Sequence, residues 1–396
     1  MFRVVERVRG EPYDGAAVRV RAREWTSAMT DAVPQAGDDA DLADEGVPTV
    51  LHPYAGYSPR TEQEAVSRHL RLFSSPDADE RFDVLILGGS VAGNFGRHGT
   101  PELERLLRES EGFDAPSVRF FNYGRGGYKQ PQQVTLFNYL LAIGFRPDAV
   151  INLDGFNEVA LSSYNHHVDA HPLHPSFPHW AAASNRTNDD PRAAELRDRI
   201  EDIQTRALAL THRADDLSLW SSAVLGSWTF GRLQKLRTGY RTASGEFQAY
   251  LAGEGAWPEM LGPPFRGTRA EAVQLAVDAW SRASLSLHAA CRAQGIAYLH
   301  VLQPTLHDPG SKTWTAEEDD TSYAHEAWIE GVHLGYPLLR EEGARLAERG
   351  VAFADLSRIF AEVEPTLYYD ACHFRAPGHR LIAGQLAARL LTLLPY

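Results

Sequence analysis

The sequence predicts an α/β fold, a three-layer α/β/α sandwich around a mainly parallel five-stranded sheet. Three observations carry this. Apolar runs at 84–87, 117–122, 148–153, 297–302 and 351–354 have the length of strands and the composition of strands buried on both faces. Stretches of helical length separate or follow them, at 100–110, 130–143, 268–293, 325–348 and 377–393. Such alternation implies crossover connections, hence parallel strands with helices on both faces. The chain has 396 residues, 43% of them hydrophobic, enough for one large domain or one domain with an insertion.

Residues 1–80 precede the first core strand and read as an N-terminal extension packed on the core. Its first part, through Trp25, alternates enough to predict β-strands, and the small acidic residues of 28–47 read as a loop. His52-Pro53-Tyr54-Ala55-Gly56-Tyr57-Ser58-Pro59 is turn-rich; it reads as a packed surface loop, with a place beside the active site as the alternative. Thr61 opens a helix through Phe73, with Glu64 placed to complete a capping box.

The first core strand ends in Leu87-Gly88-Gly89-Ser90. Two glycines allow a sharp turn, and Ser90 falls where a helix begins. Its hydroxyl is then presented at the strand's C-terminal end, with its own N–H and the helix dipole behind it. Alone, the motif is equally an ordinary turn with an N-cap serine. The second strand runs into Asn122-Tyr123-Gly124-Arg125-Gly126-Gly127-Tyr128, where glycines let a backbone N–H approach a ligand. The third ends in Asp154-Gly155-Phe156-Asn157-Glu158, and an asparagine amide at that edge can donate to a developing oxyanion. A turn and a helix cap are the plain readings of these two segments; their order and spacing give them weight.

Near the C-terminus stands Tyr369-Asp370-Ala371-Cys372-His373-Phe374, ahead of an apolar helix. An aspartate three residues before a histidine reaches the imidazole locally. It fixes the tautomer and prepares the ring to take a proton from a nucleophile.

In this order Ser90, the glycine loop, Asn157 and Asp370-x-x-His373 resemble the four sequence blocks of the SGNH (GDSL-type) hydrolase superfamily, over roughly residues 82–160 and 295–393. The resemblance implies a flavodoxin-like core and a serine esterase. By position, Ser90 is the implied nucleophile, His373 the general base and Asp370 its orienter. The N–H groups of Ser90 and Gly127 and the side chain of Asn157 are the implied oxyanion donors. Gln303, at the edge of the fourth strand, is placed to touch the substrate or support Asn157, with a hydrogen bond to a loop backbone as the plainer reading; Asp154 and Glu158 are further candidate substrate contacts. Two departures stand out: the first block has Gly89 where the family commonly has aspartate, and the third has Glu158 where aspartate commonly follows the asparagine.

The implied reaction is cleavage of an ester, with a short acyl or acetyl group, on a small molecule or glycan through an acyl-enzyme. An acyltransferase or amide-cleaving enzyme using the same residues is the alternative, followed by a ligand-binding module with a decayed site. No cofactor is implied, since neither a strand-linked Gly-x-Gly-x-x-Gly nor a P-loop is present.

Residues 160–267 read as the main insertion, helical over Arg192–Ala214, with Trp220, Trp228, Phe230, Tyr240, Phe247, Tyr250 and Trp257 scattered through it. Two readings stand: a lid or wall over the site, or a small core of its own. Its histidines at 166, 167, 171, 174 and 179, with Asp169, invite a metal reading. The interleaved prolines disrupt the helical i, i+4 spacing that aligns two ligands, so a proline-rich loop is the reading adopted and no metal is expected.

A net charge of −13 argues against nucleic-acid partners and against docking on anionic membranes. No stretch has the length and apolarity of a membrane span and the N-terminus lacks an apolar signal region, so a cytoplasmic protein is expected. Nothing in the sequence speaks to oligomeric state. The two cysteines, Cys291 and Cys372, make no disulfide framework. Cys291 reads as a buried thiol. Cys372 is expected to point away from its catalytic neighbours, leaving the nucleophile's role to Ser90.

Overall fold

The computed structural model describes residues 13–30, 49–59, 61–73, 81–115, 117–183, 191–252 and 261–394. It divides into two compact units, Met1–Pro48 with Asn185–Ala256, and Thr49–Ser184 with Trp257–Tyr396. The first 80 residues, read as a single extension, are thus shared between the units.

The larger unit is a three-layer α/β/α sandwich. Its sheet holds β3 (Arg81–Gly88), β4 (Ser117–Gly124), β5 (Ala149–Asp154), β6 (Ala297–Leu302) and β7 (Ala352–Asp355), all parallel, in the order β4-β3-β5-β6-β7. Along β3 the side chains alternate between two cores. Leu85 and Leu87 face one, while Phe82, Val84 and Ile86 face the other. The first core is closed by α2 (Glu62–Phe73), α5 (Gln132–Ile143), α6 (Phe156–His167), α10 (Arg269–Ala293) and α12 (Glu326–Glu348). The second is closed by α3 (Ser90–His98), α4 (Thr100–Arg108) and α13 (Ala376–Leu393). Being covered on both sides is why the strands read as continuous apolar runs. Helices α6 and α12 approach closely because Gly331 and Gly335 carry no side chain: a Cβ at either would come within 2.4 Å of Val159.

Beside this core, the turn-rich segment forms a small antiparallel hairpin, β1 (Thr49–His52) with β2 (Gly56–Pro59). The α6 helix crosses residue 160, where the insertion was expected to begin, and a short helix, α7 (Phe177–Ala183), also belongs to this unit.

The smaller unit is helical: α1 (Gly15–Thr30), α8 (Pro191–Asp216), a 3-10 turn (Leu219–Ser221) and α9 (Ala223–Ala252). The strands expected before Trp25 are, over the described part, a helix. Its Val-Arg-Val-Arg alternation is superficial; the buried residues are Ala22, Trp25, Thr26 and Met29, the 3.6-residue period of one helix face. Asp14 accepts the N–H groups of Ala16 and Ala17 at 2.9 and 3.1 Å and caps the first turn. Residues 31–47 of the expected acidic loop lie outside the described residues, and 28–30 end α1. The unit has a core of its own, in which Trp220, Leu233 and Ala207 pack with Phe230 and Tyr240 beside them. Trp25 stacks on Phe230 at 4.5 Å. Trp228 is exposed, and Trp257 lies outside the described residues. Among the described residues no helix is long and apolar enough to cross a membrane.

Candidate active site

Ser90, Gly127 and Asn157 all follow strand C-terminal ends, on either side of the point where the chain order of the sheet reverses. Gly88 is in register with Gly124 of β4 and Leu153 of β5, so the three strands end level. Gly88 has φ +144°, and a Cβ there would lie 2.0 Å from the Leu153 carbonyl oxygen, so the turn into α3 needs glycine. Ser90 is the first helical residue and is partly exposed.

The glycine loop is tied down on several sides. Asn122 donates to the Gly93 carbonyl at 2.9 Å and accepts the Gly124 N–H at 3.0 Å, joining the loop to α3. The Arg125 N–H donates to the Gly88 carbonyl at 3.1 Å. The buried Arg125 guanidinium pairs with Glu62 of α2 at 2.9 Å. Gly127 has φ +70°, and the place its Cβ would take is filled by the His179 ring. Asn157 donates from Nδ2 to the Tyr128 carbonyl at 2.8 Å, and a Cβ on Gly89 would lie 2.3 Å from that nitrogen. The amide therefore occupies the space that the absent Gly89 side chain leaves. Among the described residues the N–H groups of Ser90 and Gly127 have no protein acceptor, and Asn157 keeps a second amide hydrogen.

Asp370 and His373 come from the loop before α13. Asp370 Oδ1 accepts the N–H groups of Cys372 and His373 at 2.9 and 2.7 Å, which turns the chain back on itself. Asp370 Oδ2 meets His373 Nδ1 at 2.7 Å, and His373 Nε2 meets Ser90 Oγ at 2.6 Å. The loop is anchored from beneath. Glu318 accepts the N–H groups of Leu367 and Tyr368 at 2.9 and 3.0 Å, and Thr305 donates to the Ala371 carbonyl at 3.1 Å. Tyr369 stacks on the His373 ring at 5.9 Å, and its hydroxyl accepts from Asn94, one helical turn beyond Ser90, at 3.3 Å.

Burial works against charge on Asp370, but the neighbouring His373 and the hydrogen bonds it accepts outweigh that and hold its carboxyl below the usual value. Burial likewise works against protonated His373, and the Asp370 carboxylate reverses the balance, raising the imidazole well above 6.5. Cys372 departs from expectation. Its sulfur does not point away but lies 3.7 Å from His373 Nδ1 and 4.0 Å from Nε2. Burial raises its thiol, so sulfur stays protonated and is a poor nucleophile beside Ser90. Cys291 is buried and its thiol is pushed up to about 12 by burial.

Two of the three proposed substrate contacts, Glu158 and Asp154, are taken up by internal partners. Glu158 turns inward: it accepts the N–H groups of Gly155 at 2.8 Å and Gln130 at 3.1 Å, and the Gln133 side chain at 3.1 Å. Burial, with Asp154 nearby, raises its carboxyl, and its part is to bracket α6 to the glycine loop. Asp154 accepts from Trp280 at 2.7 Å and Asn152 at 2.7 Å and meets His300 Nε2 at 3.0 Å. Both carboxylates are thus committed to internal partners. Gln303 is buried; its carbonyl accepts the Tyr336 hydroxyl at 3.0 Å, and its side chain has no hydrogen bond among the described residues.

His300 Nδ1 also meets Ser284 Oγ at 2.8 Å, so Ser284, His300 and Asp154 form a second serine–histidine–aspartate series. Ser284 and His300 are both 0% exposed, which denies that series any substrate. The insertion's histidines serve its loop. His166 meets the Gly267 carbonyl at 2.9 Å, His171 Nδ1 accepts the Leu173 N–H, and His179 Nδ1 meets Ser176 at 2.9 Å. Among the described residues the one grouping of three metal-ligand types is Asp370, Cys372 and His373, and both nitrogens of that histidine are already engaged.

Sequence reasoning passed over Tyr369, Asn94 and Glu318, whose roles depend on long-range contacts. The chain matches no known family model, and none of the curated proteins compared with it matches.

Proposed function

We propose that this chain is a serine hydrolase of the SGNH type that cleaves an ester, with a short acyl group, through an acyl-enzyme. The observation that supports it best is the unbroken series from Asp370 Oδ2 through His373 to Ser90 Oγ, with contacts of 2.7 and 2.6 Å. In this reading Asp370 fixes the proton on Nδ1, so Nε2 is free to accept the Ser90 proton. Ser90 Oγ bonds to the ester carbonyl carbon, and the oxyanion is met by the N–H groups of Ser90 and Gly127 and by Asn157 Nδ2. His373 then gives its proton to the departing alkoxide, leaving acyl-Ser90. A water that loses its proton to His373 attacks that ester, and the acid leaves with Ser90 reprotonated.

The test is turnover of p-nitrophenyl acetate by the parent and by Ser90→Ala, together with labelling by a fluorophosphonate. Hydrolysis and labelling that both vanish in the variant are expected. A parent that neither turns over the ester nor takes the label at Ser90 would overturn the reading.

A further inference from the structure

The hairpin outside the α/β core meets the glycine loop through two hydroxyls, that of Tyr128 on the Tyr57 carbonyl and that of Tyr57 itself. Tyr57 donates from its phenol to the Gly126 carbonyl at 3.0 Å. A peptide group is planar and trans, so the carbonyl of residue 126 and the N–H of residue 127 share a plane and point in opposite directions. Holding that carbonyl on one side holds the Gly127 N–H on the other. The same N–H has no protein acceptor among the described residues and is assigned above to the oxyanion. Tyr57 is itself well fixed. It is buried, its ring lies edge-on to Tyr128 at 5.2 Å and stacks on His179 at 5.8 Å, and its carbonyl accepts the Tyr128 hydroxyl.

We infer that Tyr57 is a positioning residue of the oxyanion hole. Its hydroxyl aims the Gly127 N–H at the reacting oxygen and, by donating to the carbonyl of the same amide, makes that N–H a stronger donor. Arg125 and Glu62 already pin the loop upstream, so the tyrosine hydroxyl is not needed merely to keep the loop in place. The inference rests on the serine-hydrolase reading above.

Tyr57→Phe removes the hydroxyl and little else. Tyr123→Phe is its control, since it keeps the ring that lies beneath the Arg125 guanidinium and removes only a buried hydroxyl whose hydrogen-bond partner is His69, at 3.0 Å, rather than a loop carbonyl. Fluorophosphonate labelling of Ser90 and kcat and KM for p-nitrophenyl acetate are measured on both, well below their melting midpoints. In Tyr57→Phe, kcat and the labelling rate are expected to fall together by about 10-fold with KM unchanged, less than the roughly 100- to 1,000-fold for outright loss of a donor. Tyr123→Phe is expected to keep the parent kcat. A parent that labels at Ser90 while Tyr57→Phe keeps full kcat, or loses it only to the extent Tyr123→Phe does, overturns the role of Tyr57 and leaves the hydrolase reading standing. A parent that does not label overturns both. A ring-fluorinated tyrosine in place of Tyr57 keeps the shape and donates more strongly, so it reads out even if Tyr57→Phe does not fold. Its kcat is expected at or above the parent's, and a fall of about 10-fold overturns the inference.

Discussion

Gly89→Ala separates activity from stability. The backbone of Gly89, at φ −87° and ψ −158°, suits any residue, so alanine brings no backbone strain. Its methyl, however, would lie 2.3 Å from Asn157 Nδ2 and 3.4 Å from the Tyr128 carbonyl oxygen. An ordinary contact begins near 3.4 Å, so the amide must retreat by about 1 Å. The end of a side chain can do this cheaply. The loss to folding is one hydrogen bond, the 2.8 Å contact to Tyr128, worth about 1 kcal/mol. The loss to catalysis is an oxyanion donor, about 100- to 1,000-fold in kcat, or roughly 3–4 kcal/mol of barrier. The assay is kcat on p-nitrophenyl acetate beside a thermal melt, for Gly89→Ala, Asn157→Ala and the double variant. Both single variants are expected to fall alike and the double variant no further, because both remove the same donor. Gly89→Asp, which installs the residue common in the resembling family, is expected to fail with Gly89→Ala rather than improve the enzyme. Gly89→Ala within about threefold of the parent would refute the place given to Asn157.

Four further outcomes follow from the same geometry. Ser90 can give its proton only to neutral His373, so kcat/KM is expected to rise with pH along one ionisation above 6.5; a limb centred below 6.5 would contradict the Asp370–His373 pairing. Stability runs the other way on that limb. The raised His373 pKa contributes stability that is full below its unfolded value and is lost as pH rises through the folded one. The lowered Asp370 pKa contributes stability present above its unfolded value and lost as pH falls through the folded one. The gap in melting temperature between the parent and His373→Gln is therefore expected to be widest between those two limits, and a gap that grew steadily toward alkaline pH would refute it. Glu318→Ala leaves the buried Lys312 ammonium, 3.3 Å away, and the Leu367 and Tyr368 N–H groups without their carboxylate. A loss of about 3–5 kcal/mol in denaturant unfolding is expected, with activity falling as the base loop loosens; a loss under about 1 kcal/mol would contradict the anchoring. Ser284→Ala is expected to leave turnover and labelling unchanged, since its hydroxyl is sealed in the core; labelling at Ser284 in the parent would show that the core opens.

Strands and site blocks were legible in the sequence for the same reason. Strands buried on both faces cannot hide their apolar runs, and the residues that leave their C-terminal ends follow within two or three positions. Ser90 and Asn157 are examples. Asp370 and His373 were legible because their contact is local. What stayed hidden depended on distant partners. Asp154 and Glu158 look free to meet a ligand until Trp280, His300 and the Gln130 N–H are brought to them by folding. Cys372 was misjudged because its neighbours in sequence were assumed to fan out, whereas Asp370 gathers the backbone of residues 372 and 373 around itself. In α1 the alternation of valine and arginine masked a helical stripe that runs from the half-buried Val18 through Ala22 and Trp25 to Met29. The 30-residue α9 carries four glycines, at 226, 231, 239 and 245, which weakened every local sign of a helix.

The spacing of the base from the nucleophile has a consequence for synthesis. Ser90 and His373 meet across 283 positions of chain, while the oxyanion donors all lie within the first of the two core segments. On a ribosome, where domains form as the chain emerges, the nucleophile and its donors are made long before the base. A nascent chain that has not yet reached residue 373 holds a serine whose hydroxyl has no proton acceptor. On the proposed reading, hydrolytic competence would switch on late, when the segment that carries His373 docks, and turnover would report that the two core segments have come together.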